Sequence, residues 1–187
     1  MFGATTFAPG RTLRSSLHKL TLRNTKDDAQ SCASEILSSA MDSPMTELVL
    51  DNVNDTTLCA LETYPDLATL KISDSRLGTP WSMSLDLVKV LDDHRNTLQH
   101  VEITNCTGIS TEWESILTSL TELPKLQTLS IVGCEAYVFM ADDRTYVFDV
   151  SYDRDVGVRF DLDGIGDHEI ASSFNALIVE ATKRHLS

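Results

Sequence analysis

Leu126 to Cys134 reads LQTLSIVGC, and Leu98 to Cys106 reads LQHVEITNC, a near copy starting 28 residues earlier. Sliding the wider template Leu-x-x-Leu-x-Leu-x-x-(Asn/Cys) along the chain finds three more lines: LHKLTLRNT from Leu17, MTELVLDNV from Met45 and LATLKISDS from Leu67. Successive starts are 28, 22, 31 and 28 residues apart. Every first, fourth and sixth place is apolar. Apolar fourth and sixth places on either side of a mostly polar fifth have the two-residue period of a strand with one buried face. The eighth place reads Asn24, Asn52, Asp74, Asn105 and Gly133, turn formers that tolerate irregular backbone. The ninth reads Thr25, Val53, Ser75, Cys106 and Cys134.

Between the lines the apolar period changes to three and four, which is helical. Asp27 to Ala40 opens with acids and carries Ala29, Cys32, Ala33, Ile36, Leu37 and Ala40 on one face. Thr57 to Tyr64, Ser84 to His94 and Ser110 to Leu120 have the same character. Each line with its helix is a strand-turn-helix unit whose apolar faces need covering. Such units stack, with strands forming a parallel sheet and helices a second layer.

On these lines, and on CTGISTEWESILTSL from Cys106 to Leu120, the chain resembles the leucine-rich repeat family, whose period is about 20 to 29 residues. Within that family it is similar to the irregular cysteine-containing and ribonuclease-inhibitor-like repeats of F-box proteins, where Cys is followed three residues on by Ile, then Ser or Thr, then a helix. The resemblance implies an α/β leucine-rich repeat solenoid: a short horseshoe arc with a parallel concave sheet and outer helices. It also implies a non-catalytic protein-protein interaction domain, or more narrowly the substrate-receptor portion of an F-box ubiquitin-ligase subunit. No F-box is recognisable in the first sixteen residues, MFGATTFAPGRTLRSS.

After Cys134 the rhythm changes. YVFMADDRTYVFDV, Tyr137 to Val150, places aromatic and β-branched runs around Asp-Asp-Arg and predicts a hairpin. VGVRFDL, Val156 to Leu162, predicts another strand, and Asp167 to Leu186 a terminal helix with Ile170, Phe174, Leu177 and Ala181 on one face. The division expected is an N-terminal flank over 1–16, five repeats over 17–134, and a β-rich C-terminal cap over 135–187 that closes the stack.

Alternation puts the third, fifth and seventh places on the concave face. The third column is Lys19, Glu47, Thr69, His100 and Thr128; the fifth is Thr21, Val49, Lys71, Glu102 and Ser130; the seventh is Arg23, Asp51, Ser73, Thr104 and Val132. Neighbouring lines bring Lys19 beside Glu47, Arg23 beside Asp51, and Lys71 beside Glu102, about 4.8 Å apart strand to strand. Cross-strand pairs of opposite charge satisfy one another. A protein partner is expected on this face, over Lys19, Thr21, Arg23, Glu47, Asp51, Lys71, His100, Glu102, Thr104, Thr128 and Ser130.

Composition narrows the partner. A net charge of −13 and a pI near 4.6 repel phosphate backbones and anionic lipid, so neither nucleic acid nor a membrane is expected. No secretory h-region opens the chain and no stretch has the ~18 to 20 apolar residues of a span; the expected address is cytoplasmic or nuclear. Cys32, Cys59, Cys106 and Cys134 show no CxxC spacing, so a zinc site or disulfide framework is not signalled. The acidic run from Asp161 to Glu169 fits a calcium loop at Asp161, Asp163 and Gly166, but Ile165 and Ser172 stand where oxygen ligands belong. No nucleophile elbow, phosphate loop or dinucleotide fingerprint appears. No enzyme activity, cofactor or metal is expected.

Overall fold

A computed structural model of the chain describes residues 17–23, 30–40, 43–53, 64–77, 86–137, 145–154 and 157–163. In chain order the elements are β1 (Lys19–Arg23), α1 (Gln30–Ala40), β2 (Glu47–Asp51), β3 (Thr69–Ser73), β4 (Arg76–Leu77), α2 (Asp86–Asp93), β5 (His100–Thr104), β6 (Thr107–Ile109), α3 (Ser110–Thr121), β7 (Thr128–Tyr137), β8 (Thr145–Asp153) and β9 (Gly157–Asp163). The five template lines supply β1, β2, β3, β5 and the start of β7. They pair in parallel, with Lys19 opposite Glu47, Glu47 opposite Thr69, Thr69 opposite His100 and His100 opposite Thr128. These are the third places of the five lines, so the uneven spacings of 28, 22, 31 and 28 residues leave the strand register intact. The extra or missing residues are taken up in the crossovers that parallel strands require.

Burial follows the alternation. Leu48, Leu50, Leu70, Ile72, Val101, Ile103 and Ile131 point inward and are sealed from solvent, while Leu20 on the first strand is only partly covered. Helices α1, α2 and α3 cover the inner side through Leu37, Leu91, Ile116 and Leu117, among others. Trp113 of α3 is fully buried and meets Phe148 edge-on, ring centroids 4.8 Å apart at 89°, a favoured arrangement for aromatic quadrupoles. The Trp113 indole N–H donates to the Glu135 carbonyl at 3.0 Å. A side chain at Gly108 would meet both the Leu77 carbonyl, at 3.0 Å, and that indole nitrogen, at 3.2 Å.

The sheet is curled. β7 pairs with β5 through its first half and, beyond an irregularity between Ile131 and Cys134, with β6 through Glu135 to Tyr137. β6 in turn pairs with β4. Thr107 sits opposite Arg76 and Glu135 opposite Thr107, so the last three lines continue in register past their turns into a second stretch of strand. β7 continues past this irregularity to Tyr137, where Thr107–Ile109 offers its last residues a partner. β8 then runs antiparallel along both halves of β7, and β9 along β8. Phe148 and Val150 of β8 enter the core. The expected hairpin tip, all but Tyr64 of the helix expected over Thr57 to Tyr64, and the expected terminal helix lie outside the described residues.

Just after α2, His94, only 2% exposed, ties neighbouring units together. Its Nδ1–H donates to the Val90 carbonyl at 2.7 Å, and its Nε2 accepts from the Tyr64 amide at 2.9 Å. The rings of Tyr64 and His94 stack, centroids 5.9 Å apart, and the Tyr64 hydroxyl reaches the Leu37 carbonyl at 3.3 Å.

Candidate interaction face

The curled sheet brings all eleven of the expected partner-contacting residues onto one face. Lys19, Thr21 and Arg23 on β1 are exposed; Glu47, Asp51, Lys71, His100, Glu102, Thr104, Thr128 and Ser130 are half-buried in the columns. The register gives three rows across the strands: Lys19-Glu47-Thr69-His100-Thr128, Thr21-Val49-Lys71-Glu102-Ser130 and Arg23-Asp51-Ser73-Thr104-Val132.

The three anticipated charge pairs form. Lys19 Nζ lies 2.8 Å from Glu47 Oε1, Arg23 Nε 3.3 Å from Asp51 Oδ2, and Lys71 Nζ 2.8 Å from Glu102 Oε2. The hydrogen bond to Glu102 raises the Lys71 ammonium pKa above its ordinary value, against a smaller burial cost. All six side chains keep substantial contact with water, so each pair stabilises the face by about 0.2–1 kcal/mol. Two further bonds run across strands: Ser73 Oγ donates to Asp51 at 3.2 Å, and His100 Nδ1 pairs with the Thr128 hydroxyl at 2.8 Å.

The rim of this face is a row of left-handed turns. Asn52, Asp74 and Asn105 have φ of 52°, 50° and 51°, and Gly133 has 61°, the region Asn, Asp and Gly enter most easily. Each turn hands its amide to the next strand: Asn52 N–H to the Ser73 carbonyl at 2.8 Å, Asp74 N–H to Thr104 at 3.0 Å, and Asn105 N–H to Val132 at 2.9 Å. At Gly133, where no sixth parallel strand follows in the described residues, the acceptor is Asp149 Oδ1 of β8, at 2.7 Å. Sequence reasoning missed Asp149 because its partner is set by a hairpin arriving from elsewhere in the chain.

Behind the rim runs the ninth-place column. Ser75 donates to the Ser73 carbonyl at 2.7 Å and accepts from the Val53 amide at 3.1 Å. Cys106 and Cys134, both 0% exposed, repeat the bond to the carbonyl two residues back with sulfur. Cys106 Sγ lies 3.4 Å from the Thr104 carbonyl, Cys134 Sγ 3.7 Å from Val132, and each also approaches a carbonyl of the preceding strand. The hydrogen bond with Cys134, and then burial, push the Cys106 thiol up. Both sealed thiols fill their turns, and Cys106, held protonated, is a poor nucleophile.

No protein-family model, curated protein or solved structure matches this chain. Its site is therefore read from its own geometry. Among the described residues no group of three or more His, Cys, Asp or Glu could hold a metal ion, and no helix is long and apolar enough to cross a membrane. The calcium-loop comparison turns on Ile165, Gly166 and Ser172, which lie outside the described residues. The rows themselves offer hydroxyls, an imidazole and paired charges on a water-facing sheet.

Proposed function

We propose that this chain is a non-catalytic protein-protein interaction domain built on leucine-rich repeats, meeting its partner with the outward face of the parallel sheet. One observation carries the reading: five sequence lines of uneven spacing converge on a single register that aligns fifteen side chains in three water-facing rows. Register is strongly specified where the opposite face is buried, so these rows form a fixed pattern that a partner can read. Fifteen residues are fewer than the roughly 20 to 30 per side of a standard interface. β8 extends the face by placing Ser151 opposite Ser130 and Asp153 opposite Thr128. The ion pairs across β1 to β5 hold side chains in place without anchoring a partner, which points to modest affinity.

Saturable capture tests the reading. A partner recovered with immobilised parent protein should be lost when Thr104→Arg and Ser130→Arg add bulk and charge to the face while leaving the buried fourth and sixth places untouched. Recovery of chaperones alone, with no saturable partner, would overturn it.

A further inference from the structure

The ninth-place column brings together two thiols that stand 28 residues apart in the sequence. Thr104 lies opposite Val132, and Thr107 opposite Glu135, so Cys106 and Cys134, between those pairs, are side by side on neighbouring lines. The backbone fixes them there: the Asn105 amide donates to the Val132 carbonyl at 2.9 Å, and the Glu135 amide to the Cys106 carbonyl at 2.8 Å. Neighbouring strands about 4.8 Å apart fall within the Cα separation of roughly 4.4–6.8 Å that a disulfide spans. The two thiols already share a hydrogen bond. The Cys134 sulfur leans across to the Ile103 carbonyl of β5, 3.6 Å away. The rotation a bond requires is therefore at Cys106, whose thiol must leave the Thr104 carbonyl at 3.4 Å and turn towards β7.

We propose that Cys106 and Cys134 are a redox-responsive pair, which a small peroxide oxidises to a disulfide that staples the last two parallel lines. The hydrogen bond with Cys106 lowers the Cys134 thiol below its ordinary value, against the cost of burial, so Cys134 reacts first. Its thiolate attacks hydrogen peroxide: an S–O bond forms, the O–O bond breaks, and the departing hydroxide leaves as water with the thiol's proton. Cys106 then attacks the sulfenic sulfur, the S–S bond forms, the S–O bond breaks, and the Cys106 proton departs in a second water. Two thiols and one peroxide thus give one disulfide and two waters. Because the second thiol is already in contact, oxidation ends at the disulfide instead of climbing to sulfinic acid. Both sulfurs are sealed, yet Cys134 is flanked by Gly133, which has no side chain, and by exposed Glu135. Local opening of that one turn admits a molecule as small as peroxide. The bond encloses β6 and α3 in a covalent loop and stabilises the stack by restricting the unfolded chain; it acts independently of any partner.

The test treats the reduced full chain with hydrogen peroxide, blocks the remaining thiols in denaturant and digests with trypsin in the absence of reductant. Cys106 falls on the peptide Asn96–Lys125 and Cys134 on Leu126–Arg144, while Cys32 and Cys59 share a third, Asp27–Lys71. Mass spectrometry finds the first two linked and lighter by two hydrogens than their sum. The melting midpoint of the oxidised chain lies about 5–10 °C above that of the reduced chain. Dithiothreitol reverses the rise, and neither Cys106→Ser nor Cys134→Ser shows it. Free thiols at both positions after peroxide, linkage of either one to Cys32 or Cys59, sulfinic acid in place of the link, or a link that leaves the midpoint unchanged or lower each overturns the proposal. So does a link that forms only after urea has unfolded the chain.

Discussion

The Asp149 carboxylate occupies, at 2.7 Å from the Gly133 amide, the position that a seventh-place carbonyl takes at each earlier described turn. A second substitution of the same kind lies at the other end of β7. There the Gln127 carbonyl accepts from the Arg154 amide at 2.9 Å, where the Gln99 carbonyl accepts from Gln127 and Thr128. The hairpin thus ends the parallel stack by supplying the donors and acceptors of a next strand.

Replacing Asp149 by Ala removes the acceptor and is expected to cost about 1.5 kcal/mol, the lower end for a charge-assisted bond because the site is partly wet. Asp149→Asn keeps an oxygen in place and should recover most of the loss. Urea midpoints with unchanged m-values measure both. An Asn variant as unstable as the Ala variant would mean that the bond to Gly133 contributes nothing.

Gly133 is required twice over. Its φ is +61°, and a Cβ there would lie 2.6 Å from Asn105 Oδ1, whose amide nitrogen donates to Asp74 Oδ1 at 3.3 Å. Gly133→Ala therefore costs about 1–2 kcal/mol for the left-handed backbone, plus the displacement of Asn105. Adding Asn105→Gly removes the crowding oxygen and leaves only the backbone part. A double-mutant cycle on thermal unfolding should show favourable coupling between the two changes; strict additivity would mean that Asn105 swings aside freely.

How much of this was legible in the sequence depends on the range of the contact. Lys19 beside Glu47 and Lys71 beside Glu102 could be read because strand alternation and a repeating line fix which side chains are neighbours, even across 28 and 31 residues. The left-handed turns were marked by residue type at the eighth place. The short strands at Arg76–Leu77 and Thr107–Ile109 have two and three residues, too few to show a period, and exist because the preceding strands already hold the register. Asp149 and His94 were not legible as structural residues. Each is positioned by a contact between separate elements that no local pattern records, Asp149 with a turn of β7 and His94 with a backbone amide 30 residues away.

Cys106 should tolerate Ser better than Ala. Ser75 shows that a hydroxyl donates to the equivalent carbonyl, two residues back, in the preceding line, whereas Ala leaves the Thr104 carbonyl without its side-chain donor and opens a void in a sealed turn. The expected loss for Ala is about 1–3 kcal/mol, with Ser losing less. Because Cys106 and Cys134 are sealed and Cys106 is held protonated, neither should react with iodoacetamide at neutral pH until denaturant is added. Mass spectrometry of the alkylated chain decides this, and labelling of both thiols in the native protein would contradict the sealed turn.

His94 gives the fold a pH dependence whose sign follows from its bonds. Burial pushes its pKa below the ordinary value, against opposing contributions from the Val90 carbonyl and the neighbouring Asp93 carboxylate. The Tyr64 amide aims its hydrogen at Nε2, so a proton added there meets a donor instead of an acceptor. The unfolded chain binds that proton near the usual histidine pKa of about 6.5 while the folded chain resists it. Stability is therefore fully present above about pH 6.5 and is lost progressively as pH falls from there towards the lowered folded pKa. His94→Gln, which can still donate to one side and accept from the other but takes up no proton in this range, should be less stable than the parent at pH 8. The gap should narrow as pH is lowered through 6. Parallel melting curves of the two proteins across that range, with a gap that stays constant, would show that protonation of His94 is not what the fold feels.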